Sequence, residues 1–242
     1  MKISNNKILI TGGASGIGLG LTKRFIEEGN TVIICGRRAA VMQELADQYP
    51  ALTSKVCDVS IKAEREALFH WIEKEHPDTN VLINNAGIQQ WMKVDDDDFF
   101  DRAHEEIAIN IEAPVHLAAL FMKLASINTI VNVTSGLSFV PLTKTPVYSG
   151  TKAFLHSFTL SLRHLLRSQN IEVIELIPPA LNTDLGGKGL HDHAPAVSDF
   201  INSIFEQLKE GKTTCTFGFS EVMANAGPAE QKIAFERLNP EV

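Results

Sequence analysis

The chain has 242 residues, 44% hydrophobic and 21% charged, which suits one α/β domain whose core needs no disulfide or metal support. Its net charge of −7 argues against nucleic acid as a partner, because a phosphate backbone demands a basic surface. Cys35, Cys57 and Cys215 are widely spaced, and no window approaches the roughly 20 apolar residues of a membrane span. A reduced, cytoplasmic setting is the expectation, with no signal-like apolar stretch among the first seven residues.

Short apolar runs alternate with amphipathic ones from Lys7 to Ile177. Lys7–Thr11 (KILIT) reads as a buried strand, and Ile17, Leu21, Phe25 and Ile26 carry a helix over Ile17–Glu28. Between them lie Gly12, Ser15, Gly16, Ile17 and Gly18. Glycine permits a tight turn and close backbone approach, and the free N–H groups of a helix start attract a pyrophosphate. This turn, placed after a strand and before a helix, is the context a dinucleotide site requires. Thr31–Cys35 is the second strand and runs into Gly36-Arg37-Arg38. An acid there would bond a ribose 2′-hydroxyl, whereas Arg37, with Arg38, offers forked contacts to a 2′-phosphate. NADP(H) is therefore expected ahead of NAD(H).

Val41–Gln48 reads as helix and Leu52–Cys57 as strand, ending at Asp58-Val59 on the expected cofactor edge. Asp58 either accepts from an adenine amino group or caps the following segment. Lys62–Glu75 is helical, Val81–Asn84 is a strand, and Asn85-Ala86-Gly87 follows it. The acidic run Asp95–Asp98 reads as a solvated helix start, and His191 with His193 as an ordinary loop pair, so no metal is expected. Phe100–Ser126 holds one or two helices, with Asn110 as a poor helix former inside the run. Ser135 closes the strand Thr129–Thr134, either as a turn cap or as a hydroxyl offered to a substrate carbonyl. No GxSxG elbow points to a serine hydrolase. Tyr148 and Lys152 stand at i,i+4, so a helix places the phenol beside the ammonium, whose charge would lower the phenol's pKa. Thr151–Arg167 reads as helix, Ile171–Ile177 as strand and Ser198–Gly211 as helix; the rest of the C-terminal portion shows no clear pattern. Residues 184–198, with three glycines, read as a mobile lid. Gln89, Gln90, Trp91, Leu137 and Leu185 are candidates for a substrate wall. The predicted fold is a Rossmann-type, doubly wound parallel sheet in a three-layer α/β/α domain spanning residues 1–242.

In chain order, Thr11–Gly18, Asp58, Asn84 through Gly87, Asn110, Ser135, Tyr148 with Lys152, and Pro178 through Thr183 match one pattern. Over residues 7–185 the chain resembles the single-domain short-chain dehydrogenase/reductase family. In VIICGR, NVLINNAGIQ, VTSGL and LHSFTLSLRH it is similar to the DltE-type oxidoreductases. The resemblance implies hydride transfer between a nicotinamide and a small carbonyl or alcohol substrate. Tyr148 would be the general acid or base, with Lys152 lowering its pKa and bonding the nicotinamide ribose. Ser135 would orient the substrate oxygen, and Asn110 would hold a relay water. Asn85, Ala86 and Gly87 would meet the cofactor, as would Leu181 and Thr183 at the carboxamide. Ser135, Leu137, Tyr148 and Gln89 would meet substrate. A homodimer or homotetramer is implied, using the apolar surface of the Tyr148 helix. Two departures stand out: Pro179 where the family usually has glycine, and Ser15 where many NADP-dependent members have a basic residue. The alternative is a catalytically silent, nucleotide-sensing regulator, a type that commonly loses a catalytic residue.

Overall fold

The structure, a computed structural model, describes residues 1–240; Glu241 and Val242, the end of the expected domain, lie outside the described residues. The first half alternates strictly: β1 (Lys7–Thr11), α1 (Gly16–Glu27), β2 (Thr31–Gly36), α2 (Ala39–Gln48), β3 (Leu52–Val56), α3 (Lys62–Glu75), β4 (Val81–Asn84). Then come α4 (Phe99–Ile107), a π-helical turn (Ala108–Glu112), α5 (Ala113–Phe121), β5 (Thr129–Val133), α6 (Pro146–Leu166), β6 (Glu172–Ile177), α7 (Val197–Lys209), β7 (Thr214–Thr216), α8 (Phe219–Asn225) and α9 (Pro228–Leu238). The seven strands form one parallel sheet in the order β3-β2-β1-β4-β5-β6-β7. This is the expected Rossmann-like α/β architecture in a single domain.

The two faces of the sheet follow from side-chain alternation along each strand. Ile8, Ile10, Val32, Ile34, Val81 and Ile83 enter one core with Phe200, Ile204 and Phe205 of α7. Leu9, Ile33, Leu82 and Ile130 enter the other with Leu68 of α3 and Leu117 of α5. Both faces are covered, which is why the strands read as continuous apolar runs. Each fully buried side chain contributes about 1.5–3 kcal/mol.

Most boundaries fall within two residues of the sequence reading, and the run Phe100–Ser126 holds the two helices it allowed. α6 starts at Pro146, five residues before the expected Thr151. Proline suits a first helical position, because its missing N–H is unpaired there anyway. The long helical region is split by the π turn at 108–112. Pro114 lacks the N–H that would reach the carbonyl of Asn110, and its ring crowds that carbonyl, so the regular ladder cannot pass. β7, α8 and α9 were not foreseen; α9 buries no residue, so its sequence carries little helical patterning.

Candidate active site

The chain winds outward through β1, β2 and β3, then crosses back to β4, so neighbours β1 and β4 carry connections that diverge. Ligands of open α/β sheets bind at such a switch point, at the carboxyl ends of the strands. A cleft of about 760 Å³ lies there. All the expected cofactor residues line it except Leu181, which is 3% exposed and packed in the core.

The glycine turn is shaped as a cradle. Gly16 has φ +50°, and a Cβ on Gly18 would sit 2.2 Å from the Gly12 carbonyl oxygen. Ser15 precedes α1 without capping it, leaving the first amides free for an anion. Asn85 donates to the Thr11 and Gly12 carbonyls at 2.9 and 3.3 Å, while Thr11 Oγ1 accepts from the amides of Asn85 and Ala86. Asn85 thus braces the turn with its side chain. Arg37 and Arg38 are exposed at the rim, and Arg37 lies 4.0 Å from Asp58 Oδ2. Asp58 Oδ1 accepts from the amide and hydroxyl of Ser60, the turn-capping alternative. Burial pushes the Asp58 carboxyl up, but the Ser60 bonds and Arg37 outweigh it and hold the group below its ordinary value.

At the other end, α6 presents Tyr148 on its first turn and Lys152 one turn later, both buried. Lys152 Nζ donates to the Val133 carbonyl at 2.8 Å and stands 5.6 Å from the centre of the Tyr148 ring. The expected lowering of the phenol's pKa by this ammonium does not appear. Burial dominates and pushes Tyr148 well above the ordinary phenol; the Ser135 hydroxyl draws it down, and the charge of Glu106 pushes it up. The same dry surroundings pull Lys152 down to about 8, so the cation meant to tune the phenol is itself weakened by desolvation.

Ser135 is buried beside Tyr148, and its hydroxyl accepts from the Leu137 amide at 3.1 Å. Leu137 is half-buried; neither residue lines the cleft itself. Gln89 does line it, under Gly186: a Cβ there would lie 3.0 Å from Gln89 Oε1 and 3.3 Å from Trp91 Nε1. Asn110 sits behind the wall. Its Oδ1 accepts from the Ile88 amide at 3.0 Å, and its Nδ2 donates to the Ile88 carbonyl and Thr151 Oγ1. Both side-chain donors are therefore used on protein. Pro178 accepts from the Gly136 amide at 3.0 Å. The acidic run is tied down by Arg102, which lies 3.5 and 3.4 Å from Asp96 and Asp98. Among the described residues no His, Cys, Asp or Glu cluster could hold a metal.

A sequence model described as short chain dehydrogenase matches residues 6–193. The chain belongs to the short-chain dehydrogenase family. Family members similar to it include the uncharacterized oxidoreductase DltE of Bacillus subtilis, 46% identical over 99% of this chain and 98% of that protein. The NADP-dependent 3-hydroxy acid dehydrogenase YdfG of Escherichia coli K12 is 30% identical over 71% of each chain. In fold, the chain is similar to a short chain dehydrogenase from Burkholderia cenocepacia solved with NADP. The TM-score is 0.85 at 22% identity, covering 98% of this chain and 99% of that one. As a family member the protein is an oxidoreductase. The silent-regulator alternative is not favoured.

Sequence reasoning passed over Glu106, Thr151 as the partner of Asn110, and Asn182 in the cleft wall. One signal was available for Glu106. It stands four residues before Asn110, on the same inward helix face, where an apolar residue is the ordinary choice.

Proposed function

We propose that this protein is an NADP(H)-dependent reductase or dehydrogenase that moves a hydride between the nicotinamide and a carbonyl or alcohol carbon. The observation that carries the reading is the polarity of one cleft. At one end of it two arginines follow β2, which carries no acid at its end, and Tyr148 with Lys152 stands at the other. The cradle and the free start of α1 would hold the pyrophosphate, and Arg37 with Arg38 the 2′-phosphate. Leu181 would contribute through its backbone, because its side chain is in the core.

When bound, the nicotinamide supplies the hydride. The protein's residues handle the proton. In reduction, Tyr148 gives its phenolic proton to the carbonyl oxygen as the new C–H bond forms; in oxidation it takes that proton back. Burial keeps Tyr148 protonated at neutral pH, which suits the acid role. Ser135 would orient the substrate oxygen, and its hydroxyl beside the phenol offsets part of the desolvation. Lys152 would bond the nicotinamide ribose and pass protons on. A Cβ at Gly87 would lie 3.3 Å from Asn110 Oδ1 and 3.6 Å from Lys152 Nζ, so this glycine leaves room between them for the relay water.

Gln89, Leu137, Ser135 and Tyr148 form the proposed substrate contacts, and residues 184–198 the lid. The protein is proposed to work in the cytoplasm as a homodimer or homotetramer. The test is NADPH oxidation with aldehydes, ketones and the oxo acids that correspond to 3-hydroxy acids, since a 30% identical relative acts on such acids. Tyr148→Phe should cut kcat at least a hundredfold on any accepted substrate while NADPH still binds, the scale of a general acid's contribution. Full activity in that variant would overturn the mechanism.

A further inference from the structure

Glu106 is fully buried at the end of α4, yet the proton path above makes no use of it. One carboxylate oxygen, Oε1, accepts from the backbone amide of Gln90 at 2.5 Å; the other, Oε2, is buried with no hydrogen-bond partner. Four residues on, in the π turn that follows α4, Asn110 Oδ1 accepts from the amide of Ile88 at 3.0 Å. Residues 106 and 110, four apart, thus take the amides of residues 90 and 88, two apart. The end of α4 and the π turn therefore set two rungs against one stretch of backbone. Between those rungs lies Gln89, which lines the cleft. The outer side of the stretch is anchored as well: Gln90 Oε1 accepts from Arg102 Nε and its Nε2 donates to Glu105 Oε2, both at 3.0 Å.

We propose that Glu106 is a positioning residue, the second rung of a clamp with Asn110, and that its ionisation sets how firmly the substrate wall at Gln89 is held. The proposal rests on the reading of Tyr148 and Gln89 given above. A charge-assisted bond to a backbone amide is roughly twice as strong as a neutral one, so the carboxylate grips residue 90 and the neutral acid holds it loosely. Burial pushes Glu106 up to about 7, while the Gln90 amide and Arg102 pull it down and Glu105 adds to the rise. From α6, Tyr148 faces the same region, and the Glu106 charge disfavours its phenolate. The grip therefore tightens through neutral pH, at the cost of a weaker acid at Tyr148.

The test uses the full-length protein and two variants, Glu106→Gln, which keeps an acceptor without the charge, and Glu106→Ala, which removes the rung. Hydrogen exchange of the amides at 88–91 is measured at pH 6 and 8 and corrected for intrinsic rates. Protection in the wild type should rise several-fold between the two. It should be the same at both pH values in Glu106→Gln, and low at both in Glu106→Ala. On any carbonyl compound that is reduced, Glu106→Ala should raise KM more than it lowers kcat, and Glu106→Gln should recover most of that loss. The wild-type limb in kcat near pH 7 should vanish in Glu106→Gln. A pH-dependent protection that persists in Glu106→Gln, or wild-type protection in Glu106→Ala, overturns the proposal. If Glu106→Ala does not fold, Glu106→Gln alone decides by the same criterion. Exchange needs no turnover, so an inactive protein with the expected exchange pattern would sink the catalytic reading and leave the clamp standing.

Discussion

Arg37 leaves 58% of its side chain exposed at the end of β2, with only a 4.0 Å contact to Asp58. An exposed ion pair of that kind is worth about 0–1 kcal/mol, so Asp58 does not compete seriously with a 2′-phosphate for the guanidinium. Charge-assisted bonds to such a phosphate are worth about 1.5–3 kcal/mol, or roughly 10–100-fold in affinity. Arg37→Asp should therefore weaken NADPH by about that factor and NADH by much less, read by fluorescence titration of both cofactors. Equal weakening of the two would remove the phosphate argument. The candidate residues of the site were largely legible in the sequence because each is a residue type with one uncommon property at a fixed spacing. Glycine accommodates Gly16's positive φ, arginine binds phosphate, and a phenol stands four residues from an amine. Their electrostatics were not legible. The i,i+4 spacing fixes how near Lys152 comes to Tyr148, whereas the pKa values depend on how completely α6 and its neighbours exclude water, which brings Lys152 down to about 8.

Elements place these residues. β1 and β4 end level with each other, so Gly12 and Asn85 meet, and the π turn opposite Pro114 lets Asn110 reach Ile88. Strands and long helices were readable because they carry period-2 or period-3.6 apolar patterns. The π turn has no such pattern, although Pro114 four residues after Asn110 was a usable signal. Of the expected lid, 184–198, the part up to residue 194 is built of turns and Val197 and Ser198 already belong to α7; its base is pinched where the Asn182 amide donates to the Pro195 carbonyl at 2.9 Å and Asn182 Nδ2 to the Asp192 carbonyl at 3.3 Å. Asp184, Leu185 and Gly186 reach the cleft from it. Backbone held mainly by its own turns opens cheaply, and a ligand in contact with it should order it. Lys188 is exposed in this segment and is its only tryptic site. Cleavage after Lys188 should slow at least about fivefold when NADPH is saturating, because protection follows the closed population. A rate unchanged by NADPH would mean that the segment is an ordinary surface loop.

The whole molecule buries two apolar layers and still exposes large hydrophobics on α6, with Phe154 at 44% and Leu165 at 65%, and on α4, with Phe100 at 77%. Phe154 stacks at 6.3 Å on Phe158, which is half-buried against the core. Such a patch on a helix already packed against its sheet needs a cover, and a second copy in a closed symmetric assembly is the simplest one. Sedimentation velocity at micromolar concentration should give a dimer or tetramer, and Phe154→Glu should shift it toward monomer; a monomeric wild type would end that reading. Among the described residues no helix is long and apolar enough to cross a membrane. The sequence by itself determined the parallel α/β class, the glycine turn and the Tyr148–Lys152 pair, because these depend on local periodicity and short fixed spacings. Only the tertiary structure decided the dryness around Tyr148, the engagement of Asn110 with Ile88 and Thr151, and the burial of Glu106 beneath Gln90. Those depend on which segments distant in the chain exclude water from one another, and desolvation is a property of the packed assembly of elements rather than of any one of them.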